Sequence, residues 1–388
     1  MKDTATDAVL TEHEATAIAA AEKFAAEYLA PNAQAWEQAR QAPREMFARA
    51  GEAGLLGLLV PVSQGGAGVS YGTLLRILEV LARADMAAAF ALIVHNNHVR
   101  GIAACGSVHL EGEYLADMIA GRTVGAFLLT EPQGGSDAAA ITTTALEDGD
   151  DYVLNGAKAW ISNTPHADLL NVFAQTQPGA KASGILSIQV PADASGVVRL
   201  PAYEMLGGYA IGAGGFEFRD VRVPKAQVML PAGQGFKAAM AGIDIARAGV
   251  AAMCAGMLQA GLDTAMPRLL TRQAFGGPLA DQQGLMFQLA DVATDLEAVR
   301  LMAYHAADQI DRHGSAVAEA AHAKKFATRA AIRGLHACMQ AMGADGLKQE
   351  YPLARHLASA KMAEYLDGTT EIQNVVISRS LRKAYAEE

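Results

Sequence analysis

Phe127-Leu-Leu-Thr-Glu-Pro-Gln-Gly-Gly-Ser-Asp137 and its downstream companion, Lys158-Ala-Trp-Ile-Ser-Asn163, decide how the rest of the chain is read. The first segment starts as a strand and runs into a turn where Gly134 and Gly135 leave the backbone bare, with the hydroxyls of Thr130 and Ser136 on either side. Such a turn can receive a polar ligand. The second segment sets Trp160, a wide flat ring, among small polar residues on what reads as the return strand. There it either lies against a planar ligand or packs as an ordinary core aromatic.

The texture differs on the two sides of this pair. From about Thr11 to Ala120 the pattern is helical, with periodic segments such as Glu14 to Leu29 and Tyr71 to Ala82, broken at Pro31, Pro61 and the glycine cluster Gly65 to Gly68. From Thr123 it turns strand-like: Val124 to Leu129, Ile141 to Leu146, Leu169 to Ala174, Ile185 to Val190 and Phe216 to Val223. Asp148-Gly149 and Asn155-Gly156 are hairpin signals. From Gly233 to Ala386 the helical period returns in long segments starting near Phe236, Asp281, Ser315 and Pro352. The expected division is a helical domain over residues 1–122, a β domain over 123–232 and a second helical domain over 233–388.

The chain has 388 residues, 51% of them apolar, enough for two or three packed units around a large core. A net charge of -10 with no Lys/Arg cluster argues against nucleic-acid binding. The first residues hold no apolar run that would serve as a signal peptide, and charges interrupt most long apolar stretches, so no membrane insertion and a cytoplasmic location are expected. Cys105, Cys254 and Cys338 are widely spaced and odd in number, which suits reduced thiols.

Several motifs are missing. No Gly-x-Gly-x-x-Gly follows a strand, no P-loop is present, and Gly134-Gly-Ser-Asp-Ala138 lacks the second glycine of a hydrolase nucleophile elbow. His13-Glu14 lacks the second histidine of a zinc helix, so no metal site is expected. His95 and His98 either line a pocket or form a satisfied interior pair. Near the carboxyl end, Tyr365-Leu-Asp-Gly-Thr-Thr-Glu-Ile-Gln373 sets an acid beside a glycine and two threonines where a helix begins. Asp367 there is a base, or Asp367 or Thr369 is simply the helix cap. Arg272-Gln-Ala-Phe-Gly-Gly-Pro-Leu-Ala-Asp-Gln-Gln283 reads by itself as a polar loop ahead of a long amphipathic helix.

Taken in order, these segments resemble the acyl-CoA dehydrogenase family of flavoproteins over nearly the whole chain. The matching runs are Thr130 to Asp137, Lys158 to Asn163, Arg272 to Gln283, Gln340 to Gly343 and Asp367 to Thr369. The resemblance implies an α+β multidomain fold: a helical amino-terminal domain, a central β-barrel domain and a carboxy-terminal four-helix bundle. It also implies FAD. Leu129, Thr130 and Ser162 match positions that hydrogen-bond the flavin ring, and Trp160 matches the stacking tryptophan. Ser136 matches the serine near the pyrophosphate and the thioester, and Thr369 and Glu371 lie on the flavin side of their motif. Arg272, Phe275, Gln283, Gln340 and Gly343 match positions that meet the FAD of a neighbouring subunit, implying a homodimer or, more fully, a homotetramer built as a dimer of dimers. Asp244 and Arg247 match positions beside the pantetheine arm of the substrate.

The family's reaction takes an α-proton from an acyl thioester with a carboxylate while the β-hydrogen leaves as hydride to flavin N5, and electrons pass on to an electron-transfer flavoprotein. By resemblance Asp367 is that base, with its own backbone N–H and a ribityl hydroxyl of FAD on the thioester carbonyl. Two departures stand out. Most relatives with a base here use glutamate, so Asp367 is one methylene short, roughly 1.5 Å. Ala358-Ser-Ala-Lys361 replaces the Arg-Asp-Ala-Lys of many members, and Ala246 supplies no acid at the alternative base position of other relatives. The implied activity is α,β-dehydrogenation of an acyl thioester carried by coenzyme A or by an acyl carrier protein. The alternatives are a flavoprotein of the same fold acting as oxygenase, oxidase or desulfinase, and a flavin-binding relative without catalysis.

Overall fold

The computed structural model describes residues 10–386. Helix α1 (Glu12–Phe24) starts at a capping box in which the Thr11 hydroxyl accepts from the Glu14 N–H and the Glu14 carboxylate accepts from the Thr11 N–H. The expected break at Pro31 is absent. The chain passes through one π turn (Ala25–Leu29) and continues as α2 (Ala30–Ala39), with Pro31 in its first turn. The wider turn makes room for the ring, so the continuous helix tolerates a residue that lacks an N–H. After α3 (Glu45–Glu52), the expected break at Pro61 and the glycine cluster is present, as a short 3₁₀ turn and loop.

Helix α4 (Tyr71–Ala104) runs far beyond the expected Ala82. It kinks at Asp85 (φ -156°, ψ 111°), whose carboxylate accepts from the Ala88 N–H at 2.9 Å and caps the second half. The Arg355 guanidinium lies 3.0 Å from the same carboxylate, with Asp85 buried and Arg355 half-buried. His95 and His98 on this second half are both interior, His95 bonded through both ring nitrogens and His98 through Nε2 alone. His95 accepts from the Gly125 N–H at 3.0 Å and donates to the Met118 carbonyl at 2.9 Å, while His98 meets the Gln189 side chain at 2.7 Å. Short helices α5 (Val108–Leu110) and α6 (Ala116–Ile119) complete this unit.

The β unit contains β1 (Gly125–Leu128), β2 (Thr144–Asp148), β3 (Asp151–Ile161), β4 (Leu169–Gln175), β5 (Ile185–Pro191), β6 (Val197–Arg199), β7 (Gly214–Pro224) and β8 (Val228–Leu230). They form one eight-stranded sheet in the order β6-β7-β3-β2-β4-β5-β8, with β1 parallel to β4. The sheet curls around an apolar core that includes Leu128, Leu154, Val172, Ile188 and Phe216. Asp148-Gly149 makes the β2–β3 hairpin, Gly149 taking φ 64°. Asn155-Gly156 does not turn the chain. It sits inside β3 at a bulge, where Gly156 passes so close to Thr143 that a Cβ would lie 2.6 Å from its hydroxyl. The strand expected from Ile141 begins only at Thr144, because Thr142 and Thr143 turn their N–H groups to the Glu131 carboxylate instead of to a neighbouring strand.

The last unit is helical: α7 (Gly235–Thr271), α8 (Gln283–His313), α9 (Val317–Ala341), α10 (Leu353–Ala363) and α11 (Thr370–Ala386). Between α7 and α8 the segment expected as a loop carries a small hairpin, β9 (Gln273–Ala274) with β10 (Gly277–Pro278), turned at Phe275 (φ 55°) and Gly276 (φ 90°). By length and composition α7 is apolar enough to cross a bilayer, but its middle, from Arg247 to Leu258, is buried inside the bundle. One apolar core joins α4 to α7, α8 and α9. Cys254 and Cys338 are buried free thiols and Cys105 a half-buried one.

Candidate functional site

The turn after β1 is built around a buried ion pair. Lys158 Nζ, on β3, donates to Glu131 Oε1 at 2.8 Å and to the Leu129 carbonyl at 3.0 Å. The Glu131 carboxylate also accepts from the N–H groups of Thr142 (2.7 Å) and Thr143 (2.9 Å). Burial pushes Glu131 upward, but the Lys158 charge and these hydrogen bonds outweigh it and hold the carboxyl at about 2. Glu131 and Gly134 close the turn by exchanging backbone hydrogen bonds, and the Ala159 N–H donates to the Thr130 carbonyl at 3.0 Å. Thr130 is left half-buried and Ser136 exposed, with open space beside Gly134.

Trp160 is not a core residue. It occupies a second bulge of β3, where Ala159 pairs with Gly215 and Ile161 with Gly214, so Trp160 has no cross-strand partner. With φ 58° its side chain swings outward, 64% exposed, and its ring tilts against Tyr203 with centroids 4.6 Å apart. Ser162 is half-buried next along the chain, and Asn163 fixes this end of the strand by donating to the carbonyls of Ala91 (3.0 Å) and Gly125 (3.2 Å). An exposed indole face, two hydroxyls and bare backbone fit a planar ligand edged with carbonyls and ring nitrogens, which is the chemistry of a flavin.

A second group of residues borders the same region. The start of α7 packs on this end of the sheet, with Phe236, Ala239, Met240 and Ile243 against Leu129 and Phe173. One turn further, Asp244 and the buried Arg247 form an ion pair. Arg247 Nε then donates to the Asp367 carbonyl at 3.2 Å. Asp367 (φ 50°) and Gly368 (φ 95°) form a left-handed turn whose carbonyls all face buried side chains. Lys324 Nζ donates to the Gly368 carbonyl at 2.6 Å, and Gln373 Nε2 reaches those of Gly368 (2.9 Å) and Thr369 (3.4 Å). Peptide planarity then turns the N–H groups of Gly368, Thr369 and Thr370 the opposite way.

Thr369, not Asp367, caps α11: its hydroxyl accepts from the Ile372 N–H at 3.4 Å. The Asp367 carboxylate, half-buried, accepts no hydrogen bond among the described residues. Desolvation raises it to about 6, against the pull of Lys324 and Arg247. Glu371 is exposed in the first turn of α11. Ala246 is half-buried on α7 and carries no acid.

The third group stands apart. Arg272, Phe275, Gln283, Gln340 and Gly343 are all exposed and gather at the far end of the bundle, where an Arg268–Asp345 ion pair ties the end of α7 to the turn after α9. Asp244 and Arg272 are separated by 28 residues of helix, about 42 Å at 1.5 Å per residue. No single small ligand spans both. Sequence reasoning gave Glu131, Lys324 and Gln373 no role and left Lys158 as a motif letter. Lys324 had a readable signal, a lysine on the buried stripe Ala320, Ala327, Ala331 and Leu335 of an amphipathic helix.

Comparison with known proteins agrees with this layout. Models of the acyl-CoA dehydrogenase N-terminal, middle and C-terminal domains match residues 11–122, 126–221 and 233–382. The chain is 36% identical to the mitochondrial short-chain specific acyl-CoA dehydrogenase of Mus musculus, over 93% of this chain and 88% of that one. It superposes on butyryl-CoA dehydrogenase from Megasphaera elsdenii with TM-score 0.93 and 30% identity, covering 97% of this chain and 100% of that one. A glutaryl-CoA dehydrogenase from Mycobacterium smegmatis in complex with FADH2 superposes with TM-score 0.91 and 28% identity, covering 97% and 96%. The chain therefore belongs to the acyl-CoA dehydrogenase family and is an FAD-dependent oxidoreductase acting on a CH–CH bond.

Proposed function

We propose that the protein oxidises the Cα–Cβ bond of an acyl-CoA thioester, with Asp367 removing the α-proton. The observation that carries this reading is the state of Asp367. Its turn is fixed through backbone carbonyls, its carboxylate accepts no hydrogen bond among the described residues, and desolvation raises it to about 6 while Lys324 and Arg247 oppose. A base poised near neutral pH combines an ionised resting state with a strong pull on the proton. FAD, when bound, supplies the two-electron oxidant for the β-carbon. Trp160 would supply the stacking face for the flavin ring, and Leu129, Thr130 and Ser162 would hydrogen-bond its edge. Ser136 would lie by the pyrophosphate and the thioester, Asp244 and Arg247 would border the pantetheine arm, and Thr369 and Glu371, at the start of α11, would hold the flavin from that side.

The 28 residues of helix between Asp244 and Arg272 support an assembly in which Arg272, Phe275, Gln283, Gln340 and Gly343 meet the FAD of a neighbouring subunit. Phe275, 92% exposed at a hairpin tip, is an anchor of the kind such an interface uses. The assembly is a homotetramer built as a dimer of dimers, located in the cytoplasm, and an electron-transfer flavoprotein takes up the electrons. Coenzyme A is the carrier on this reading, and an acyl carrier protein is the alternative.

The test is anaerobic mixing of the FAD-loaded protein with straight, branched and cyclic acyl-CoA esters, and with the same acyl groups on a carrier protein, following loss of flavin colour. Asp367→Asn is expected to keep FAD and lose bleaching. In the wild type, kcat/KM falls as pH drops below about 6, where Asp367 takes up a proton. Undiminished bleaching by the variant puts the base elsewhere.

A further inference from the structure

The interior stripe of α9 consists of alanines and other small or apolar residues except at Lys324, whose side chain is 1% exposed. An ammonium taken out of water costs several kcal/mol unless it is compensated. No carboxylate stands within ion-pair distance of Nζ among the described residues. Its compensation comes from the carbonyls of Gly368 (2.6 Å) and Glu364 (3.4 Å), with a longer-range contribution from the Asp367 carboxylate. The other charged and titratable groups facing it are Arg247 and Cys254 from α7 and Glu364 from the C-cap of α10, with Asp244 already paired to Arg247. Burial pushes Lys324 down to about 8, and Asp367 resists that most.

What the lysine holds is a turn that does not hold itself. Asp367 at φ 50° occupies a region that costs an L-residue of order 1 kcal/mol, and Gly368 follows at φ 95°. Such a turn persists where its surroundings over-determine it. Arg247, Lys324 and Gln373 come from three helices to three consecutive carbonyls. Lys324 makes the shortest of these bonds.

We infer that Lys324 is a positioning residue for the oxidation: it fastens the Asp367–Gly368 turn through the Gly368 carbonyl and supplies the charge that keeps the half-buried Asp367 carboxylate ionised. This rests on Asp367 being the base. The lysine touches neither the reacting atoms nor the flavin positions; it acts through the turn, where a shift of about 1 Å in the base costs on the order of a hundredfold in rate.

FAD-loaded Lys324→Met is compared with wild type for flavin content, for the pH dependence of kcat/KM in thioester-driven bleaching, and for Tm alone and combined with Asp367→Asn. Flavin content is expected to hold, while kcat/KM at neutral pH falls on the order of a hundredfold. The acid limb moves up by about one pH unit, because Asp367 works as the carboxylate and loses a neighbouring cation that favoured that form. Lys324→Met lowers Tm less in the Asp367→Asn background than in wild type, since there the ammonium has already lost its counter-charge. Where the Met variant does not accumulate folded, Lys324→Gln, which removes the charge and retains a donor, carries the same comparison. An acid limb that stays in place, with additive Tm changes, in an enzyme that Asp367→Asn inactivates overturns the role of Lys324. Bleaching that survives Asp367→Asn removes the base assignment and this inference with it.

Discussion

Replacing Lys158 by methionine tests whether the turn proposed to seat the flavin depends on its buried ion pair. The substitution keeps the length of the side chain and deletes the ammonium, leaving Glu131, itself 1% exposed, as an uncompensated carboxylate. Breaking a buried pair in this way costs about 3–5 kcal/mol. Glu131 keeps the N–H groups of Thr142 and Thr143 and the Thr142 hydroxyl, which puts the expected cost near the lower end, about 3 kcal/mol. At about 2.1 cal/mol/K per residue over 388 residues, that lowers Tm by roughly 4 °C. The Leu129 carbonyl loses its tether as well, so FAD retention falls with Tm, read by the ratio of flavin to protein absorbance after gel filtration.

The pair adds little net stability, because burial pushes the Lys158 ammonium down to about 8 while that same ammonium draws Glu131 down. The double variant Glu131→Gln with Lys158→Met therefore recovers most of the lost Tm. The penalty of the single variant also shrinks as pH falls through about 4.5 toward 2. The wild-type carboxyl, depressed in the folded state, contributes stability above the unfolded value of 4.5 and loses it on the way down, whereas an unpaired Glu131 is protonated early in that range. A Lys158→Met protein that keeps its flavin and melts within about 1 °C of wild type would refute the argument.

Two further outcomes follow from exposed side chains. Trp160→Ala removes the stacking face and is expected to weaken FAD binding on the order of tenfold, measured by absorbance titration of the apoprotein; unchanged affinity and spectrum count against stacking. Arg272→Ala, at the far end of α7, is expected to lower FAD retention and shift the assembly toward smaller species in light scattering, and a monomer that holds FAD as tightly as wild type sinks the cross-subunit reading.

The helical, β, helical order was legible because each unit carries its own period, and all five strand segments read from the sequence contain observed strands. Two of the three misreadings share a physical cause, a partner distant along the chain. Asn155-Gly156 has the composition of a hairpin turn, but Asp220 and Thr143 across the sheet use it as a bulge, with Asn155 bonding the Asp220 backbone and side chain. Pro31 has the composition of a break, and a π turn just before it absorbs the ring. Helix α4 outran its expected end because the kink is made by Asp85 and is stabilised by Arg355, which lies 270 residues away along the chain. Local pattern records none of these long-range partners. In the site, Thr130, Ser136, Trp160 and Asp367 were singled out through motif resemblance, whereas the buried cations behind them were given no role, since a lysine on an alanine-rich helix usually marks the solvated face.

Those cations tie down segments of the site that regular structure does not hold. Thr130, Trp160 and Asp367 stand on a turn, a bulge and a left-handed pair, none of which is held by a repeating ladder of backbone bonds. Beneath two of the three lies a buried lysine bonded to a carbonyl of the segment: Lys158 to Leu129, and Lys324 to Gly368. Bonds from an ammonium to a carbonyl are roughly twice as strong as neutral ones. Because a trans peptide is planar, pulling a carbonyl inward turns the following N–H outward. The Leu129 tether thus turns the Thr130 N–H, and the Gly368 tether the Thr369 N–H, away from the protein interior. The same two lysines also set local charge, opposing the ionisation penalty of Glu131 in one place and of Asp367 in the other. The difference lies in the counter-charge. Glu131 is locked at 2.8 Å into the structure, whereas the Asp367 carboxylate accepts no such bond among the described residues, as its proposed role as base requires.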